Sequence, residues 1–406
     1  MPLSKLIVVV GITDLQGDSV AQSFLQFPGW NVRGISRNIY SDTSLQWTSI
    51  GVEMVTASLS NTDNLCIAFA DADAIFGGTE FWGQMKNLIA RIFPAMSGNP
   101  LTEAYNTIER RYGNNLADAA TSVAGLERFL LSTLSGSTFR SQGGVMGAYG
   151  FGAKWLSVQH LRSNFLALSS VTSLVQAASF IKNYRTLIQS RGDGIFIFGT
   201  MRPPEVNSPW IHPPIDIGTF IKAFALAPPR QNLAGGAENL NWNQICGIFT
   251  KFFSIPIEYK QYLVARLDVI TPRRALTLAN IFSYFEYHEC YVDDSTIMYP
   301  SDLEHQLGIP DPTTRFETFP RNNFPSFLEK AACKIASQVS APPSFLSSGI
   351  LESQVKSEPA TVQSRPRRRN QPPPLTIYED PSIPVQGPSP LALFQNWGDD
   401  KENRPP

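Results

Sequence analysis

The chain has 406 residues, enough for one large α/β domain with appendages or for two domains. Its 33 basic and 34 acidic side chains nearly cancel to a net charge of -1, so no overall basic field draws it to nucleic acid or anionic lipid. No window approaches the ~20 apolar residues that span a bilayer, and the N-terminal apolar run is too short for a secretion-signal core. Leu6 to Val10 is that run, short and rich in β-branched residues, and it reads as a strand buried on both faces. Gly11 ends it. From Gly17 onward Val20, Ala21, Phe24 and Leu25 recur at helical spacing. Strand, glycine turn and helix in this order open a dinucleotide-binding βαβ unit, whose helix N-terminus offers N–H groups to a pyrophosphate. The turn residues Gly11, Thr13, Asp14, Leu15, Gln16 and Gly17 are therefore candidate cofactor contacts.

Trp30 to Ser36 alternates apolar with polar and reads as strand two. Ser36 and Arg37 stand at its end, where an acidic residue would favour NAD and an arginine accommodates the 2′-phosphate of NADP. No carboxylate follows until Asp42, which leans toward NADP. The alternative is a solvated arginine at a strand end. Gly51 to Ala57 is strand three, Asn64 to Ala72 a short helix, and Ala74 to Gly78 strand four. The pair Gly77-Gly78 lets backbone approach a ligand, or makes a turn. Phe81 to Arg111 reads as an irregular insert with helical pieces, Asn115 to Val123 as a helix and Leu126 to Ser132 as strand five. This alternation predicts a parallel, doubly wound sheet. Next come a Gly/Ser loop, a helix from Phe151 to Leu161 carrying Lys154, a helix from Val171 to Arg191, and a strand from Gly194 to Phe198. Helices over Asp216 to Ala227, Asn243 to Phe253 and Thr271 to His288 follow, with a short strand at Ile257 to Tyr259. Together they predict a smaller, more helical α/β region over roughly 165–310, closing on the sheet edge.

Composition changes near Ser337. A connecting segment spans 311–336, and 337–406 is dominated by Pro, Ser, Gln, Arg and acidic residues, so it is expected to be disordered. Within it lie a basic cluster, Arg365 to Arg369, of the nuclear-import kind, and Leu391, Phe394 and Trp397 at the spacing of a partner-docking helix. Cysteines 66, 246, 290 and 333 are scattered, without a CxxC pair, and are expected as reduced thiols. His288, Glu289, Cys290, Asp293 and Asp294 match no common zinc spacing, so no metal is expected.

The residues 11–21, 29–37, 51–55, 115–120 and 126–135 resemble the NmrA-like family, as do Thr172 to Gln176, Pro209 to Ile211 and Asp216 to Gly218. The resemblance covers roughly Lys5 to Leu307. It implies a Rossmann domain of the atypical short-chain dehydrogenase group that binds NADP(H) or NAD(H), often without turnover, and Asp14 in the loop makes that binding weak or lost in this chain. It also implies redox sensing or transcription regulation through a protein partner of the transcription-factor type. Four departures qualify it: Asp14 replaces the middle loop glycine, Ser58 stands where an aspartate commonly touches adenine, Val171 replaces a lysine, and the residues before Lys154 are small.

In short-chain dehydrogenases a tyrosine four residues before the lysine is the acid–base group, and a serine near the end of strand five holds the substrate oxygen. Here Ser132 and Lys154 could fill two of these roles, but the tyrosine position is Gly150. Tyr149 lies five residues before Lys154, roughly 140° away on a helix. The expectation is a non-catalytic NADP(H)-binding regulator, cytoplasmic and nuclear, with no membrane and no direct nucleic-acid contact. The alternatives are an NAD(P)H-dependent oxidoreductase using Lys154 and a cofactor-free scaffold.

Overall fold

A computed structural model describes residues 4–79, 99–145, 147–180, 187–191, 193–262, 280, 281, 284, 296–308 and 317. The tail, the segment 311–336 apart from residue 317, most of the Thr271 to His288 helix, the cluster at 288–294 and much of the 81–111 insert lie outside these.

Strand β1, Lys5–Val10, fixes the layering. Its side chains alternate between two cores. Ile7 and Val9 pack with Val20, Phe24, Ile217, Phe220 and Phe224, while Val8 and Val10 pack with Leu65, Phe69, Leu116 and Leu161. A strand apolar on both sides has to be covered on both sides. Helix α1, Leu15–Leu25, covers the first face. β2 is Trp30–Ser36, α2 Asp42–Ser49, β3 Glu53–Thr56, α3 Thr62–Phe69 and β4 Ala74–Gly77. The serine and asparagine caps start helices as their short acceptors should: Ser41 accepts from the Ser44 N–H and Asn61 from the Asn64 N–H. Then come α4, Asn99–Ala120, β5, Arg128–Thr133, the single turn α5, Ser137–Arg140, α6, Tyr149–Asn164, and α7, Leu166–Ser170.

The segment expected as a helix over Val171 to Arg191 is instead β6, Thr172–Ala177, β7, Ser179–Phe180, and β8, Ile188–Ser190. Every residue of β6 is buried. Its polar residues Thr172, Ser173 and Gln176 are buried with the rest, so the run gives no face to solvent, which suits a central strand and not a surface helix. After β9, Phe196–Thr200, and β10, Ser208–Ile211, α8, Pro213–Leu226, packs beside α1. β11, Asn232–Gly235, β12, Glu238–Leu240, α9, Trp242–Phe253, β13, Ile257–Gln261, and α10, Pro300–Leu307, complete the described chain.

The main sheet has seven strands in the order β11-β6-β5-β4-β1-β2-β3, and every pairing in it is parallel. This is the doubly wound arrangement, with its order reversing at β1 and β4. Two of its strands, β6 and β11, come from the 165–310 stretch, so that stretch helps to build the Rossmann sheet. What stands apart is a pair of three-stranded sheets, β12-β10-β7 and β13-β9-β8. They carry a second core of Phe196, Phe198, Trp210, Trp242 and Phe249, so this region is more β-rich than expected. Burial in that core pushes the Cys246 thiol up to about 12, so it is a packing group at neutral pH. Among the described residues no helix is long and apolar enough to cross a membrane.

Candidate functional site

In a doubly wound sheet, ligands bind beyond the carboxyl ends of the strands where the order reverses. Here that place lies between the β1–α1 turn and the ends of β4 and β5. Gly11 takes φ 70, a left-handed conformation that glycine adopts freely. Gly17 is required for a different reason. A Cβ on it would lie 2.1 Å from the Gly11 carbonyl oxygen and 2.9 Å from the Ile12 Cα, so α1 can pack this tightly onto the turn only with glycine there.

Asp14 caps α1 with an extended backbone, φ -99 and ψ 161, that any residue adopts. No glycine is needed there for backbone reasons, so replacing the family's glycine costs no strain. Its side chain curls over the turn: a Cβ on Gly11 would sit 2.9 Å from the Asp14 Oδ2. Desolvation by the turn raises the Asp14 pKa, and the Arg37 guanidinium, brought across by the β1–β2 pairing, pulls it back part of the way. The charge placed against an incoming diphosphate is thus partly compensated. Thr13 and Arg37 are exposed, and Leu15 and Gln16 are half-buried. Ser36 is tied down, since its hydroxyl accepts from the Asn38 N–H at 3.2 Å. Ser58 turns to Ser60, with the two hydroxyl oxygens 2.9 Å apart.

At the other strand ends, Gly78 packs tightly on β5, where an added Cβ would lie 3.2 Å from the Ser132 Cβ. Gly77 is buried between Leu116 and Leu131. The Ser132 hydroxyl donates to Gln16 Oε1 at 2.7 Å, joining the end of β5 to the start of α1. Lys154 is held by three oxygens. Its ammonium donates to the Thr79 carbonyl, to Thr79 Oγ1 at 2.8 Å and to Glu109 Oε1 at 3.0 Å. The side chains of Lys154 and Glu109 are only 12% and 2% exposed, and Glu109 Oε2 is buried without a hydrogen-bond partner among the described residues. The space among Gly78, Thr79, Ser132 and Lys154 amounts to about 30 Å3, room for one water. Gly150 is buried at the start of α6, so no side chain fills the acid–base position four residues before Lys154.

Glu109 and Thr79, which hold Lys154, are the residues of this candidate site that the sequence reading missed. Glu109 fell within the stretch read as an irregular insert. The signal was periodic: Glu109, Gly113, Leu116 and Ala120 share one face of α4, and Leu116 and Ala120 are core. A carboxylate on an apolar stripe needs a buried cation, and Lys154 is that cation. Among the described residues no group of three metal-ligating side chains comes together.

A sequence profile described as NmrA-like family matches residues 3–314. A protein of Aspergillus flavus named NmrA-like family domain-containing oxidoreductase lnaB is 27% identical over 244 residues, 57% of this chain and 67% of that protein. The Cladobotryum sp protein named NmrA-like family domain-containing oxidoreductase FrzB is 33% identical over 132 residues, 32% of this chain and 34% of that protein. The chain thus spans between about a third and two thirds of these curated relatives. Among solved structures, NmrA, described as a negative transcriptional regulator and crystallised with NADP, superposes with a TM-score of 0.60 at 17% identity. That likeness covers 84% of this chain and 98% of the other, and it is a likeness of fold.

Proposed function

The chain belongs to the NmrA-like family, and from that premise we propose that it binds NADP(H), or NAD(H), without turning it over. In this reading it acts as a redox-sensing or regulatory protein through a protein partner of the transcription-factor type. The glycine turn supports the binding half: the approach of Gly17 to Gly11 leaves N–H groups of α1 open to a pyrophosphate. Gly11, Thr13, Leu15, Gln16 and Gly17 would hold the diphosphate. Ser36 and Arg37 would receive the adenosine ribose, and Gly77, Gly78, Ser132 and Lys154 would border the nicotinamide end. The cofactor supplies a hydride when a reaction is run.

The observation that carries the non-catalytic half is the hold on Lys154. Gly150 removes the phenol that the lysine would activate, and Glu109 and Thr79 take the ammonium's hydrogen bonds. The second reading, an NAD(P)H-dependent oxidoreductase using Lys154, is favoured by the names of the two relatives. In that reading Lys154 would donate the proton and Glu109 would set its charge. The basic cluster at Arg365 to Arg369 supports a nuclear share of the protein beside a cytoplasmic one.

Titration calorimetry with NADP+, NADPH, NAD+ and NADH separates these readings from a cofactor-free scaffold, which would bind none of them. Arg37→Ala is expected to weaken NADPH binding by about tenfold more than it weakens NADH binding, the worth of one charge-assisted contact beyond the lost compensation of Asp14. Equal losses for both nucleotides would remove Arg37 from the 2′-phosphate. Asp14→Asn, which removes only charge, is expected to tighten binding about tenfold, because like charges at an effective dielectric of ~20 repel by a few kcal/mol and the Arg37 guanidinium offsets part of that. Asp14→Gly should do the same. Because burial raises the Asp14 pKa, its proton returns above the ordinary aspartate range as pH falls, and the repulsion fades with it. Wild-type affinity should therefore rise on acidification relative to Asp14→Asn. Unchanged affinity in both variants means that Asp14 does not face the diphosphate.

A further inference from the structure

A serine hydroxyl has one proton to give and two lone pairs to offer. At the end of β5, Ser132 gives its proton to Gln16 Oε1 at 2.7 Å. Among the described residues its oxygen accepts no hydrogen bond in return. Ser132 is 7% exposed, and it borders the space of about 30 Å3 that it shares with Gly78, Thr79 and Lys154. The charged donor at that space, the Lys154 ammonium, is fully committed. Its three N–H groups serve the Thr79 carbonyl, Thr79 Oγ1 and Glu109 Oε1.

Two features turn the serine oxygen toward the cofactor crevice. Ser132 faces the same way as Leu130, two positions back on the strand, and Leu130 packs into the core beneath α1. The oxygen therefore lies on the α1 side of the sheet, the side of the Gly11 to Gly17 turn. The chain beyond β4 is cut back to glycine beside it. A Cβ on Gly78 would lie 3.2 Å from the Ser132 Cβ and 3.9 Å from its Oγ, so a side chain there would crowd the oxygen that glycine leaves open.

We propose that Gln16 fixes Ser132 as a hydrogen-bond acceptor and that this acceptor receives the carboxamide NH2 of a nicotinamide ring. Ser132 is then a specificity-determining residue for the carboxamide. The inference rests on the nucleotide reading above and adds which group of the ring the site reads. The carboxamide brings two N–H donors on a flat ring edge, and that edge passes over Gly78 more readily than a puckered ribose with its hydroxyls. A carbonyl oxygen brought to Ser132 would meet lone pairs, because Gln16 holds the proton. The bond that prepares Ser132 for the carboxamide thus withdraws it from holding a substrate oxygen, in keeping with binding without turnover.

The test compares NADP+ with its 3-acetylpyridine analogue by calorimetry on the full chain. The analogue keeps the charge and the carbonyl and carries a methyl group in place of the NH2. The wild type is expected to bind NADP+ about fivefold more tightly, the worth of one neutral hydrogen bond. Ser132→Ala should weaken NADP+ about fivefold, leave the analogue nearly unchanged and so remove the preference. Gln16→Met frees the serine proton to turn to the acetyl carbonyl, and it should remove the preference as well. 2′-Phospho-ADP-ribose, which lacks the nicotinamide, should bind Ser132→Ala as it binds the wild type, which separates a lost contact from a damaged fold. Equal wild-type affinity for NADP+ and the analogue would overturn the proposal, and so would a preference that survives in Ser132→Ala or Gln16→Met. A loss of 2′-phospho-ADP-ribose equal to that of NADP+ would overturn it too, by placing Ser132 at the ribose or in the fold. If neither dinucleotide nor 2′-phospho-ADP-ribose binds the wild type, the nucleotide reading itself falls and this inference with it.

Discussion

Replacing Gly17 with alanine is expected to abolish measurable dinucleotide binding and to lower the melting temperature by several degrees. The new Cβ would lie 2.1 Å from the Gly11 carbonyl oxygen, far inside contact distance, and the neighbour is backbone with no side chain to swing away. The first turn of α1 must then lift from the β1 end. Overpacking of this kind costs about 1–3 kcal/mol or more. Here the displaced atoms are the N–H groups that would meet the pyrophosphate, so affinity falls by far more than stability. Far-ultraviolet circular dichroism and a thermal melt confirm that the sheet persists, and calorimetry reads the nucleotide. A Gly17→Ala protein that binds NADPH like the wild type would show that the cofactor turn lies elsewhere.

The second large effect belongs to Glu109. Removing one member of a buried ion pair leaves the other charged and unpaired, at about 3–5 kcal/mol. Glu109→Leu strands the Lys154 ammonium, which is 12% exposed, with Thr79 as its remaining partner. The melting temperature should fall by on the order of 10 °C. The double variant Glu109→Leu with Lys154→Met should recover most of that loss, because an apolar pair of similar volume replaces the buried charges. Glu109→Gln keeps an acceptor for the lysine and should lose less than Glu109→Leu. If Glu109→Leu melts like the wild type, the two side chains are not paired in solution.

Much of the frame was legible in the residues. Leu6 to Val10 announced a strand buried on both faces, and the two cores use its alternate side chains as that reading requires. Gly11 and Gly17 were marked by their spacing as the ends of a tight turn, and the backbone turns there; Gly150 and Lys154 were marked only by the family resemblance. The errors have local causes. Thr172–Ala177 was read as helix because its mixed sequence, Thr-Ser-Leu-Val-Gln-Ala, carries no alternation of polar and apolar residues that would mark a strand. β10, β11 and β12, three or four residues each, are too short to carry a pattern. The rest of the site was hidden by distance along the chain. Asp14 and Arg37 are 23 positions apart and meet through β1–β2 pairing, and Gln16 reaches Ser132 across 116 positions. Asp14 was read as a replacement of the middle loop glycine. Its extended backbone makes it a question of charge alone, and that charge has a partner.

Nucleotide binding without turnover is the claim on which the account rests. It is tested most directly by titrating the full chain with NADPH in a calorimeter and then following the absorbance of the saturated complex with a panel of carbonyl and quinone acceptors. The account predicts saturable binding, and an absorbance that stays level because Gly150 supplies no acid and Glu109 holds Lys154. Steady oxidation of NADPH that Lys154→Met abolishes would contradict it, and so would the absence of any binding heat.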